Sequence, residues 1–107
     1  MALYMIQASY TPEAWAALVK NPQKRDDVTN PVFESMGGKV IANYLAFGQH
    51  DIVGIVELPD NATAAAISLA VAASGAVKSF QTTPLMTWEE GVQAMQKAGS
   101  VGYQPPG

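Results

Sequence analysis

The residues of this chain best suited to chemistry stand in one short stretch, Gly48-Gln49-His50-Asp51, leading into the apolar run from Ile52 to Leu58. His50 is the only histidine in 107 residues. An imidazole titrates near neutrality and can act as a general base or proton shuttle. It can also be a lone axial ligand to haem or another metal. An aspartate beside a hairpin turn, by contrast, accepts backbone N–H bonds and fixes the turn, with Gly48 supplying permissive φ. Four readings therefore stand together: a structural Asp51, a catalytic His50, a metal-ligating His50, and an exposed, inert His50. Neighbouring strand residues point to opposite faces, so a cooperative His50–Asp51 dyad requires an irregular turn.

The remaining candidates are polar residues set into apolar strands. Gln7, Asn43, Gln81, Thr82 and Thr83 stand among β-branched and aromatic neighbours, and buried polar groups need partners. They either bond across strands and along a subunit seam, or line a ligand pocket. Gln7, Asn43, Tyr44, Gln81 and Thr82 are the ligand-binding candidates. Tyr4 and Tyr10 also bring hydroxyls to apolar strands, while Trp15 and Trp88 read as core or interface aromatics. The absence of cysteine excludes a thiolate nucleophile or zinc-thiolate site, and one histidine leaves no metal-binding spacing. Gly37-Gly38-Lys39 lacks the earlier glycine of a phosphate loop and precedes a strand. No cofactor is named by these residues.

The elements that must position these groups are legible from periodicity and caps. Ala2 to Ser9 reads as a strand. Thr11 is a good N-cap, Pro12 suits the first helical position, and Trp15, Leu18 and Val19 form a core-facing stripe. Asn21-Pro22 ends or kinks that helix. A second helical stretch spans about Gln23 to Met36, with Pro31 either kinking it or opening a restarted turn capped by Asn30. Gly37-Gly38 closes it. Two strands follow, Lys39–Gly48 and Asp51–Pro59, joined through Gly48-Gln49-His50. Asp60 or Asn61 caps a helix to about Ser74, Ala76–Leu85 is the last strand, and Thr87 with Glu90 forms a capping box for a final helix. The order β-α-β-β-α-β plus a helix is the ferredoxin-like split βαβ arrangement, an α+β fold with a four-stranded antiparallel sheet. Residues 1–98 form its one domain and 99–107 a tail without pattern.

In the second strand Val40, Ala42, Tyr44 and Ala46 read as one face, and Lys39, Ile41, Asn43, Leu45 and Phe47 as the other. Both faces are largely apolar, as are both faces of the third strand, whereas a half-solvated antiparallel sheet alternates cleanly. The simplest cover is a second copy packed sheet to sheet about a two-fold axis, a dimeric α/β barrel with a cavity between the sheets. Composition agrees. The chain is 49% hydrophobic and only 14% charged, against about 25% charged in ordinary soluble domains. A formal charge of −3 and no Lys/Arg cluster count against nucleic acid. Lys24 and Arg25 are cancelled at once by Asp26 and Asp27, which reads as a solvated loop or helix end. No signal-peptide pattern or membrane-length apolar segment is present, so a cytoplasmic protein is expected.

Three stretches, "YMIQASYTPE", "ESMGGKVIANYLAFGQHDIVGIVELPDNATAAAISLAVAASGAVKSFQTTPLMT" and the "EE" just beyond, together resemble the GYD-domain family of small bacterial and archaeal proteins, over about Tyr4 to Glu90. The family's Gly-Tyr-Asp stretch corresponds here to Gly48 and Asp51, with His50 standing where the tyrosine usually lies. The Asn30-Pro31 pair is unusual for the family's first helix. The resemblance implies the ferredoxin-like fold and the dimeric α/β-barrel class. It implies no activity, because the family is known mainly as domains of unknown function. Two functions follow from the residues. One is a dimer binding a small, largely apolar molecule in a cavity, with enzymatic activity left open. The other is a non-catalytic oligomerisation module whose apolar sheet face only pairs subunits.

Overall fold

The structure is a computed structural model describing residues 1–107. Its elements run β1 (Ala2–Tyr10), α1 (Pro12–Lys20), α2 (Asp26–Ser35), β2 (Lys39–Leu45), β3 (Ile52–Leu58), α3 (Asn61–Ala73), β4 (Val77–Leu85) and α4 (Trp88–Ala98). The four strands form one antiparallel sheet in the order β2-β3-β1-β4. This is the ferredoxin-like α+β fold expected from the sequence.

Three of the four helix starts follow the capping logic, and α2, which begins after Arg25, has no side-chain cap. Thr11 Oγ1 accepts from the Ala14 N–H at 3.2 Å, and Asp60 Oδ1 from the Thr63 N–H at 2.8 Å. At α4 the capping box is complete: Thr87 Oγ1 accepts from the Glu90 N–H at 3.1 Å, and Glu90 Oε1 accepts from the Thr87 N–H at 3.2 Å. Helix α2 runs through Pro31 without restarting at Asn30. Gly37 then takes a φ of 82°, the left-handed conformation that favours glycine at a helix end.

One face of the sheet carries the core. Tyr4, Ile6, Val56 and Leu58 from the central strands pack with Ala64 and Ile67 of α3, and Phe33 of α2 and Phe80 of β4 close the edges. The Tyr4 hydroxyl donates to Asn61 Oδ1, which satisfies its polar end. Only ten of 107 residues are buried, so much of the chain's apolar surface remains outside this core.

The opposite face is left uncovered. Met5 lies opposite Ile55 and Thr83, Gln7 opposite Val53 and Gln81, and Leu3 opposite Glu57 and Leu85. None of these residues is buried. Helix α4 does not cover them either. It buries no side chain, and Trp88 is 81% exposed. The radius of gyration, 17.1 Å, exceeds the roughly 13 Å of a compact chain of this length.

Two local expectations are corrected. The pairing of β2 with β3 slips between Val40 and Ala42. An extra residue of this kind reverses the side-chain alternation beyond it. Asn43 and Leu45, opposite Gly54 and Ile52, therefore join Val40 on the helix side, while Ala42 and Tyr44 oppose Ile55 and Val53. The assignment of Val40, Ala42 and Tyr44 to one face thus fails at the bulge. The second correction concerns the β2–β3 connection, which is the longer segment 46–51. Gly48 does not adopt a positive φ there, so its backbone conformation is open to other residues. No helix is long and apolar enough to cross a membrane.

Candidate functional site

The β2–β3 connection is tied firmly to the end of β1. The Asp51 N–H donates to the Ala8 carbonyl at 2.8 Å, and the Ala46 N–H to the Asp51 carbonyl at 2.7 Å. Ser9 Oγ, buried, donates to the Gln49 carbonyl at 3.1 Å. The Asp51 carboxylate reaches across to the corner where β1 becomes α1. Its Oδ2 accepts from the Tyr10 N–H at 2.9 Å and from the Trp15 indole Nε1–H at 3.1 Å. Tyr10 and Trp15 meet edge to face at 5.2 Å between ring centroids. Asp51 thus joins three segments through one charged acceptor, and such bonds are about twice as strong as neutral ones.

His50 sits inside this tie. It is half-buried, and its Nδ1 is shielded from solvent without a hydrogen-bond partner. Asp51 Oδ2 is bonded to Tyr10 and Trp15, and neither carboxylate oxygen bonds His50.

Two cavities lie on the helix side of the sheet. The first, about 330 Å³, is an apolar chamber between the sheet and helices α2 and α3, walled by Val28, Val32, Phe33, Ile67, Val71 and Phe80 among others. The second, about 390 Å³, is a basin of mixed polarity bounded by Leu18 of α1, the 22–26 connection and the end of β2. They share a seam of Tyr10, Arg25, Thr29, Asn43 and Ile52. In the basin Lys24 lies 3.7 Å from Asp26 and 3.3 Å from Asp27. The hydrogen bond to Asp27, with the charge of Asp26 beside it, raises the ammonium pKa above its ordinary value.

The expected site residues are distributed over three places. Asn43 lines both cavities, and its Nδ2 donates to Asn30 Oδ1 on α2 at 3.3 Å. Tyr44, 69% exposed, lines the basin. Thr82 faces α3 and shares a 2.9 Å hydrogen bond with Ser68. Gln7 and Gln81 are directly opposite one another on the uncovered face. His50, Gly48 and Asp51 line neither cavity. The cleft therefore gathers Asn43, has Tyr44 only at the basin's outer edge, and excludes His50, Gln7, Thr82 and Gln81.

Arg25 and Thr29 of the seam escape a sequence reading because "NPQKRDD" looks like a self-neutralised loop. The usable signal was that two acids can both be taken by Lys24, which leaves Arg25 over.

The fold and its two surfaces define a small ferredoxin-like α+β protein with a cleft on one side of the sheet and an uncovered face of mixed apolar and polar residues on the other. The chain belongs to the GYD-domain family, whose sequence profile matches residues 4–95. It is 33% identical over 80 residues to the "Glutamine synthetase and cystathionine beta-lyase binding protein" of Thermus thermophilus, an alignment covering 75% of this chain and 84% of that protein. No solved structure matches the chain.

Proposed function

We propose that the protein is a homodimeric binding module that docks on a metabolic enzyme through surfaces its own fold leaves uncovered. The observation that carries this reading is α4. Trp88, Val92 and Met95 recur at i, i+4 and i+7, one face of a helix, and are 81%, 46% and 63% exposed. At 11 residues the helix is shorter than the roughly 12–15 at which isolated helices become even marginal in water. A stripe of this kind gains its stability from an apolar surface supplied by another molecule.

The Thermus relative bears the name of a protein that binds two such enzymes, and a partner of that class is cytoplasmic. The domain acting in this way is residues 1–98. The uncovered sheet face, with Met5, Val53, Ile55 and Leu85, has a different occupant, the same face of a second copy. The test is co-sedimentation of the chain with the glutamine synthetase and cystathionine β-lyase of its own organism, using wild type and a Trp88→Ser/Met95→Ser variant. Co-sedimentation lost in the variant supports the reading; no complex with either enzyme refutes it.

A second reading is favoured by the cleft itself. The apolar chamber and its polar seam have the composition of a small-molecule site, mostly apolar walls with a few convergent polar groups. In this reading the protein holds a small, largely apolar molecule between sheet and helices, and the cleft alone assigns no reaction to it. A fluorescent apolar dye such as ANS reports its occupancy. Binding displaced by Ala70→Leu, which narrows the chamber, supports the reading, and dye binding indifferent to Ala70→Leu counts against it.

A further inference from the structure

The seam between chamber and basin has a charge that the rest of the fold does not use. Arg25 is the only charged residue lining the apolar chamber. Its Nη1 donates to Gln23 Oε1 at 3.1 Å, and no carboxylate lies within ion-pair distance of it. The acids nearest in sequence, Asp26 and Asp27, are both engaged by Lys24. A guanidinium presents five N–H donors in a planar fork that matches a carboxylate, and it stays charged at every physiological pH. Thr29 and Asn43 line the same seam and bring neutral hydrogen-bonding groups beside it.

We propose that the cleft binds an amphipathic monocarboxylate, with its apolar body in the chamber and its carboxylate on Arg25 at the seam. This rests on the second reading above, that the cleft holds a small molecule. The charge balance selects the class. Of the charged residues lining the basin, Lys24 and Asp26 pair with each other, so Arg25 is the one uncompensated charge; it suits a single negative charge, whereas a phosphate dianion would keep one charge unmet. The size of the chamber selects the body. At about 330 Å³ it lies at the lower end of the ~300–1,000 Å³ range of ligand pockets, which fits a short alkyl chain or one ring system.

The experiment titrates full-length protein with octanoate and, separately, with 1-octanol. Isothermal titration calorimetry measures affinity, and methyl NMR of Ile67 and Val71 reports whether each probe enters the chamber. Octanoate is expected to shift those methyls and to bind about tenfold or more tightly than octanol. Arg25→Gln is expected to remove that advantage, since a hydrogen bond to a charged group contributes on the order of tenfold or more in affinity. It should leave octanol binding unchanged. Arg25→Lys, which keeps the charge without the fork, should recover part of the advantage.

Chamber methyls that shift equally for both probes, with no effect of Arg25→Gln, overturn the carboxylate class while the ligand-binding cleft survives. Methyls that shift for neither probe overturn both. An Arg25→Gln chain that unfolds would show it in its circular dichroism, and the octanoate-to-octanol ratio in wild type then decides alone.

Discussion

Replacing Asp51 by alanine should cost this protein far more stability than replacing His50. The carboxylate accepts the Tyr10 N–H at 2.9 Å and the Trp15 indole N–H at 3.1 Å on one oxygen. Tyr10 is buried, with 8% of its surface exposed, so its N–H is poorly hydrated once Asp51 is gone. A buried donor left without a partner costs about 1–3 kcal/mol, and the partly exposed Trp15 N–H adds a smaller amount because water can replace the lost acceptor. The expected loss for Asp51→Ala is about 2–3 kcal/mol. At about 4–8 °C per kcal/mol for a domain of this size, the melting temperature should fall by roughly 8–24 °C.

Asp51→Asn keeps a neutral acceptor and should lose about 1 kcal/mol, since the bonds forfeit only their charge assistance. The assay is urea unfolding followed by circular dichroism, with every variant at one protein concentration because oligomerisation makes apparent stability concentration-dependent. In a Trp88→Phe background, Trp15 emission reports the corner directly and should shift to the red in Asp51→Ala. An Asp51→Ala protein within 0.5 kcal/mol of wild type (~0.5 being the ordinary surface-mutation range), or one no less stable than His50→Ala, would refute the assignment of this carboxylate as the tie between three segments.

Other expectations follow from the same geometry. His50→Leu removes a solvent-shielded Nδ1 that has no partner, so urea unfolding should show stability unchanged or raised by up to about 1 kcal/mol. Gly38→Ala should destabilise by about 1–3 kcal/mol, because the new Cβ would lie 2.7 Å from the Glu57 carbonyl oxygen and 3.0 Å from that of Phe33. Gly48→Ala meets no atom within 4 Å and should be tolerated; thermal melts compare the two. The hydrogen bond from the Thr63 N–H lowers the Asp60 pKa below its ordinary value. Its capping contribution is therefore present above the usual carboxylate range and is lost as pH falls through the lowered pKa. Unfolding from pH 5 to pH 2 should show a shallower loss of stability in Asp60→Asn than in wild type. Ile55→Glu places a charge in the uncovered face opposite Met5, and light scattering should fall from twice the 11.3 kDa chain mass to the single chain.

The strands and the starts of α1, α3 and α4 are readable because each rests on local chemistry, whereas α2, expected from about Gln23, begins at Asp26 with no side-chain cap to mark it. Thr11, Asp60 and the Thr87–Glu90 pair cap where their types and spacing say they should. Long-range facts were not readable. The slip after Val40 is one extra residue in a run of apolar side chains, and nothing in "KVIANYL" marks where the alternation reverses. That slip puts Asn43 on the helix side, against Asn30, and Tyr44 on the opposite register. Asp51 reads from sequence as one structural candidate at a turn, but its partners lie at Tyr10 and Trp15, some 40 positions away in sequence. Gly48 carried the expectation of a special φ on residue type alone, and the six-residue connection relieves the turn of that demand. Arg25 was hidden by neighbours whose charges sum to zero along the chain but pair unequally in space.

In the proposed function, a metabolic enzyme binds the exposed apolar stripe of α4. Sedimentation velocity of the labelled chain mixed with its own organism's glutamine synthetase and, separately, cystathionine β-lyase tests it most directly. Wild type is expected to move with at least one enzyme, and the Trp88→Ser/Met95→Ser variant, folded and of wild-type mass alone, to sediment free of both. Wild type sedimenting alone in both mixtures, or a variant that binds as well as wild type, would contradict it.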